Sequence, residues 1–295
     1  MAKRNAFRNA SIAVVALWLG LFALLPNAGL LLVTVLQRGE QDFVEPVFTL
    51  ANYARLFDPT FLRILWDSIA LAATSTFVCL LVGYPFAYRI AMARRSVRPW
   101  FLLLVIIPFW TNSLIRTYAL IILLKSQGLV SDVLLFLGFI DAPISLMYSD
   151  LAVFVGLTYT LLPFMILPLY VSIDKLDRKL LDAAKDLGAG SLRAFWHVTL
   201  PLTMPGIVAG SMLVFLPSLA CFYIPEILGG AKAMLIGNFI KNQFLVARDW
   251  PLGAAASTIL TLLLVLLIVA WWLASRRVAA REKHEQDAAL FTEAG

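Results

Sequence analysis

Side chains able to do covalent chemistry are few in this 295-residue sequence, and they are not grouped. His197 and His284 stand alone, without metal-ligand or acid–base spacing around them. Cys79 and Cys221 lie among apolar neighbours, the setting of small buried hydrophobes rather than of a disulfide or metal site. Neither a GxxxxGK[ST] phosphate loop nor a GxSxG nucleophile elbow occurs. The chain is therefore expected to be non-catalytic and to bind no cofactor, so energy for any active process must come from elsewhere. One stretch does have specific spacing: Asp182–Pro201, DAAKDLGAGSLRAFWHVTLP. It sets an acid before two small residues (Asp182, Ala183, Ala184), a glycine at Gly188, and Val198-x-Leu200-Pro201 at its end.

The elements that must position this stretch can be read from its pattern. From Lys179 to Leu187, apolar Leu180, Leu181, Ala183, Ala184 and Leu187 alternate with Asp182, Lys185 and Asp186. That spacing predicts a short helix with one apolar stripe and a charged back. Gly188 suits its left-handed end. Ser191 is placed to cap a second helix, Leu192–Val198, presenting Leu192, Phe195 and Trp196. Pro201 is expected to stop that helix before the next apolar segment. So much amphipathic sequence in one loop calls for something to dock there.

Composition supplies the surroundings. The chain is 61% hydrophobic and 14% charged, with a mean hydropathy of +0.86, against about 45–50% and ~25% in soluble domains. It reads as an all-α integral membrane protein with a single membrane domain over 1–295, and the alternating strands of a barrel are absent. Six spans are expected at about 10–36, 65–93, 100–124, 150–172, 204–223 and 252–273, with the polar loop at 174–201. The first is too long for a signal-peptide core, so it is read as retained, with a kink at Pro26-Asn27. Phe48–Phe57 reads as an interfacial amphipathic segment. Pro163 and Pro168 are expected to break the fourth span, which favours a place inside a bundle.

Roughly two thirds of the 24 Lys and Arg residues fall on the face carrying both termini and the 174–201 loop. The positive-inside bias therefore predicts cytoplasmic termini and a cytoplasmic loop. The opposite face carries a slight excess of acids, the ordinary state of solvated loops and a modest attraction for cationic solutes.

The pattern Asp182-Ala183-Ala184-x3-Gly188-x9-Val198-x-Leu200-Pro201 resembles the EAA loop of ABC-importer permeases, E-A-A-x3-G-x9-I-x-L-P. It departs from it by Asp182 for Glu and Val198 for Ile. In that family the loop's first helix sits in a groove of the ATPase and relays nucleotide-driven closure to the membrane helices. The resemblance implies a coupling role for Asp182, Ala183, Ala184, Leu187, Gly188, Phe195, Trp196, Leu200 and Pro201. Across nearly the whole chain, PFWTNSLIRTY (108–118), LLPFMILPLY (161–170), TLPLTMPGIVAG (199–210), IPEILGGA (224–231) and QFLVARDWP (243–251) look like the spermidine/putrescine permease family of the PotB/PotH type. The departure there is Cys221, where an acid is expected before the aromatic.

That resemblance implies the six-helix type I importer fold (MetI-like) in a bacterial inner membrane, with both termini cytoplasmic. The implied partners are an ABC ATPase dimer that binds ATP and magnesium, a second homologous permease, an extracytoplasmic binding protein and the lipid bilayer, with no nucleic acid. A polycationic cargo needs carboxylates or aromatic faces along its path. Candidates are Trp110, Tyr118, Tyr159, Tyr223, Glu226 and Asp67, although belt or core packing is the commoner reading of such aromatics and an exposed helix start that of Asp67. Thr111 and Asn112 read as interhelical glue. Arg116, which would repel a cation, is expected to pair with an acid or point outward. The same machine could carry an opine, an aminophosphonate or another small cationic or zwitterionic metabolite. An ATP-independent carrier would instead need ionisable relays or paired broken helices within an inverted repeat, which the sequence does not clearly show.

Overall fold

The computed structural model describes residues 2–39, 43–230 and 233–293, the side chains of 2–8, 10, 178 and 274–293 excepted. Ala231 and the side chains of Lys3, Arg4, Arg8 and the charged tail thus lie outside what is described. Six helical stretches there are long and apolar enough to cross a membrane: Ser11–Thr34, Pro59–Met92, Ser113–Phe136, Asp150–Asp174, Ser191–Ala220 and Trp250–Leu273. The chain divides into two compact units, one of 1–64 with 239–263 and the other of 65–238 with 264–295.

In the first unit, α1 (Ala2–Leu19) passes through a wide π-turn at Gly20–Leu24 into α2 (Leu25–Thr34). Pro26 lies just beyond that turn. Proline cannot donate to the carbonyl four residues back and its ring crowds that carbonyl. The helix responds by widening, with the Leu25 amide reaching back to the Gly20 carbonyl. None of the most apolar window of this span is buried within the chain.

The strands β1 (Leu36–Gln37) and β2 (Glu45–Phe48) pair antiparallel with a bulge between Leu36 and Gln37. After them, α3 (Ala51–Arg55) buries Asn52, whose amide donates to the carbonyls of Thr34 (2.9 Å) and Leu36 (2.8 Å) and so ends α2. Phe48, Leu50 and Phe57 stay exposed around it, the amphipathic arrangement expected of this segment. The unit is tied together by Asp249, 1% exposed, which accepts from Arg55 at 2.8 Å, lies 3.7 Å from Arg38, and caps the Leu252 amide.

The second unit carries the candidate site. Its framework is α4 (Pro59–Met92, from Leu65 on), α5 (Arg98–Trp110), α6 (Ser113–Leu124), α7 (Leu129–Phe136), α8 (Asp150–Asp174), α9 (Arg178–Asp186), α10 (Ser191–Ala194) and α11 (Leu200–Ala220). The central helix is α8: Val153, Leu157, Met165, Leu169 and Ile173 are fully buried. It packs chiefly against α11. There Gly206 and Gly210 permit the approach, since a Cβ would fall 2.4 Å from that of Ser172 and 2.8 Å from the Met165 sulfur. Small residues four apart are the usual device for close helix packing in a membrane. The helix α12 (Ile236–Leu245) follows a further π-turn at Pro225–Gly229, and α13 (Trp250–Glu293) closes the chain.

Three expectations need correction. The span expected at 100–124 is two helices, because Thr111 and Asn112 are extended (ψ 142° and 134°). These residues are not glue between helices: Thr111 hydroxyl donates to the Pro108 carbonyl, and Asn112 caps α6 by accepting from the Leu114 amide at 2.8 Å. The apolar continuation then runs through α7 to Phe136. Second, Pro163 and Pro168 do not break α8, which is continuous from Asp150 to Asp174. Packing holds its path on both sides, with Gly83 of α4 against Met165 and Gly206 of α11 against the Pro168 carbonyl. Third, Asp67 is no helix-start acid, since α4 begins at Pro59 and Asp67 is two turns in.

Candidate functional site

The 174–201 stretch folds as two short helices joined by a tight turn. Asp177 starts α9 by accepting from the Lys179 amide at 3.0 Å. At the other end Gly188 has φ 81°, the left-handed conformation that only glycine adopts without cost. The Gly188 amide donates to Lys185 carbonyl (2.8 Å) and the Ala189 amide to Ala184 carbonyl (2.9 Å), the paired bonds of a Schellman ending. The motif's small residue and its glycine are thus two ends of one cap. Asp182 faces solvent and pairs with Lys185 at 3.5 Å one turn on, Ala183 is exposed, and Ala184 is half-buried.

The second helix departs from expectation. Pro201 does not stop it: α10 runs through a π-turn at Phe195–Thr199 directly into α11, with Pro201 in the first turn of the latter. The Leu200 amide reaches the Phe195 carbonyl, so the wide turn again sits just upstream of a proline, as before Pro26. Nor is Phe195 presented outward. It is half-buried, edge-on to Tyr84 at 5.5 Å, and the Tyr84 and Thr203 hydroxyls share a hydrogen bond of 2.9 Å. Leu200 packs against the same core. Leu187 (88% exposed), Trp196 (57%), Leu180 and Leu192 do present apolar surface. The block therefore offers an apolar exterior and is keyed by Phe195 into the helices α4 and α11.

The candidates for contact with a cation are not gathered in one place. Trp110 (78% exposed) ends α5, Tyr118 lies on α6, Tyr159 on α8, and all three are outward. Glu226, in the π-turn after α11, and Asp67 on α4 are exposed. Tyr223 is half-buried and lines a cavity of about 270 Å³ with Leu157, Thr160, Pro217, Cys221 and Phe222 among others; the other five candidates do not line it. This cavity opens where α11 ends at Ala220 and the chain turns at Cys221.

Arg116 also contradicts its expectation. Its Nε and Nη1 are buried without a hydrogen-bond partner, and it forms no ion pair among the described residues. Its guanidinium carbon lies 5.9 Å from the centre of the Phe109 ring. Its surroundings are aromatic, with the Phe109 ring beside it and Tyr223 within electrostatic reach. The sequence signal for it was a lone basic residue in an apolar run. For the Tyr84–Thr203 pair and the Asp249 cluster no such signal exists, since each joins residues distant in sequence.

Comparison with known proteins gives a consistent result. The family described as "Binding-protein-dependent transport system inner membrane component" matches residues 80–278. The chain is 51% identical over 257 residues to the spermidine/putrescine transport system permease protein PotB of Salmonella typhimurium (strain SL1344), covering 87% of this chain and 90% of that one. It is 52% identical over 246 residues to the protein of the same name from Escherichia coli (strain K12), covering 83% and 90%. Among solved structures, a bacterial alginate ABC transporter in complex with an alginate pentasaccharide-bound periplasmic protein contains a chain that aligns with a TM-score of 0.73 at 17% identity, over 94% of this chain and 96% of that one.

Proposed function

Since the chain belongs to the family of binding-protein-dependent transport system inner membrane components, we propose that it is the permease subunit through which an ABC importer takes up spermidine and putrescine. The Asp182–Pro201 block carries the mechanical half of this reading. It is a rigidly capped helix pair with apolar residues outside and Phe195 locked onto Tyr84 inside. Such a surface suits a partner that pushes on it. Partner ATPases bind ATP and magnesium; their closure moves the block, and through Tyr84 and Thr203 the helices α4 and α11. A second permease completes the path, and an extracytoplasmic binding protein delivers the cargo. Both termini and the block face the cytoplasm of the inner membrane. The cargo assignment is supported by the two relatives named as spermidine/putrescine permeases, whose likeness extends over nearly all of the chain.

The test uses the whole complex in proteoliposomes. Leu187→Ala with Trp196→Ala should leave the subunit in the membrane and lower ATP-driven spermidine uptake by about tenfold, since buried apolar anchors dominate interface energies. Unchanged uptake would remove the block from the mechanism. Uptake by this chain alone without ATP would overturn the importer reading. One observation favours a second cargo class, a zwitterion: the cavity beside Tyr223 has no carboxylate in its lining, and Cys221 stands there. Measuring which ligand the cognate binding protein takes separates the two.

A further inference from the structure

The least explained group in the molecule is Arg116. Buried charges in proteins are paired with acids or fully hydrogen-bonded, and within a membrane an unpaired one marks a functional position. Here two guanidinium nitrogens, Nε and Nη1, have no acceptor, and no ion pair involving Arg116 forms among the described residues. What holds the group is a ring face: Phe109 at 5.9 Å, itself packed edge-on against Phe164 at 4.8 Å. The residue is half-buried, and the ring beside it carries no charge to cancel its own. It lies within electrostatic reach of Tyr223, which lines the cavity of about 270 Å³ at the end of α11. That lining is otherwise apolar but for Thr160 and Cys221, and it holds no acid to offset the charge.

We infer that Arg116 is an electrostatic barrier of the translocation path: its uncompensated guanidinium excludes cations from the cavity beside Tyr223 and keeps the importer closed to passive cation flow. The inference rests on the reading of this chain as part of a cation path. A fixed positive charge is a known way for a pore to reject cations. At an effective dielectric constant of about 20, two like unit charges held about 6–8 Å apart repel enough to lower occupancy roughly 30- to 100-fold, and a polycation is repelled more. Cargo then passes only when ATP-driven rearrangement turns the guanidinium away or supplies an acid opposite it. Tight coupling follows from one residue.

The experiment is passive efflux from proteoliposomes holding the whole complex without ATP, read with potassium and with spermidine as separate probes. Arg116→Gln should raise potassium leak by about tenfold or more, while Arg116→Lys, which keeps the charge, should stay tight. Ser113→Asp places a carboxylate one turn before Arg116 and should raise the leak while leaving the arginine in place. If the Gln and Asp variants assemble and remain as tight as the parent, the barrier does not exist. If Arg116→Gln instead abolishes ATP-driven uptake without leak, the arginine holds a carboxylate of the cargo or of a partner, and the inference fails. Potassium leak does not depend on which cargo the binding protein takes. An error about polyamines would show as loss of the spermidine arm alone.

Discussion

Gly188 shows how much a single position can determine. A Cβ placed there would meet nothing within 4 Å, so space is not the constraint. The constraint is its φ of 81°. An alanine in the left-handed region costs about 1–2 kcal/mol, which the turn can recover only by unwinding. Unwinding would release the bonds from Gly188 to Lys185 and from Ala189 to Ala184, freeing the end of α9. Gly188→Ala should therefore leave expression and membrane insertion intact and lower ATP-driven uptake several-fold. Hydrogen exchange at the amides of 187–189 checks the cause, since faster exchange there must accompany the loss. This position was legible in the sequence because glycine at the end of an apolar-striped helix has few other uses. Phe195 was not, because nothing local tells an aromatic that faces a partner from one that faces Tyr84, more than a hundred residues earlier in the chain.

At the scale of elements, the prolines were the least legible residues. Local rules treat proline as a breaker, yet Pro163 and Pro168 lie inside a continuous α8, and Pro201 in the first turn of α11. In each case the surroundings decide: packing on both sides of α8 holds the helix, and a π-turn before Pro201 clears its ring from the preceding carbonyls. Conversely, Thr111-Asn112 interrupts an apolar run without any proline at the break, because asparagine can cap the helix that follows. Hydropathy located the apolar segments but is blind to such caps. The π-turn at Phe195–Thr199 has a mechanical consequence. One extra residue in a turn rotates what precedes it by about 100° relative to a regular helix. It sets the direction in which Phe195 and Trp196 point from α11. Pro201→Ala restores the amide and allows the turn to tighten. It should preserve ATP hydrolysis while reducing spermidine transported per ATP by about threefold or more. A variant with both values unchanged would show that the π-turn is incidental.

For the whole molecule, the spread of charge predicts one arrangement in the membrane. None of the most apolar window of the first span is buried within the chain, whereas half of that of α8 is. The basic residues are unevenly spread. Arg94 and Arg95 precede α5 and Arg98 begins it, Arg98 bonds to Asp174 at the end of α8, and Lys175, Lys179, Lys185 and Arg193 follow within or beside the 174–201 block. These residues therefore lie on one face of the α5–α8 pair. A cluster of that sign is retained on the cytoplasmic side during insertion. The block and the ends of the chain should then be reached from the cytoplasm, and the β1–β2 hairpin from outside. In a background where Cys79 and Cys221 are replaced by serine, Ser191→Cys and Thr49→Cys provide one thiol on each side. A membrane-impermeant thiol reagent should label Cys at 191 only in inverted vesicles and at 49 only in right-side-out ones. The reverse pattern would place the apolar residues Leu187 and Trp196 outside, beyond the reach of any ATPase, and the coupling role proposed for the block could not hold.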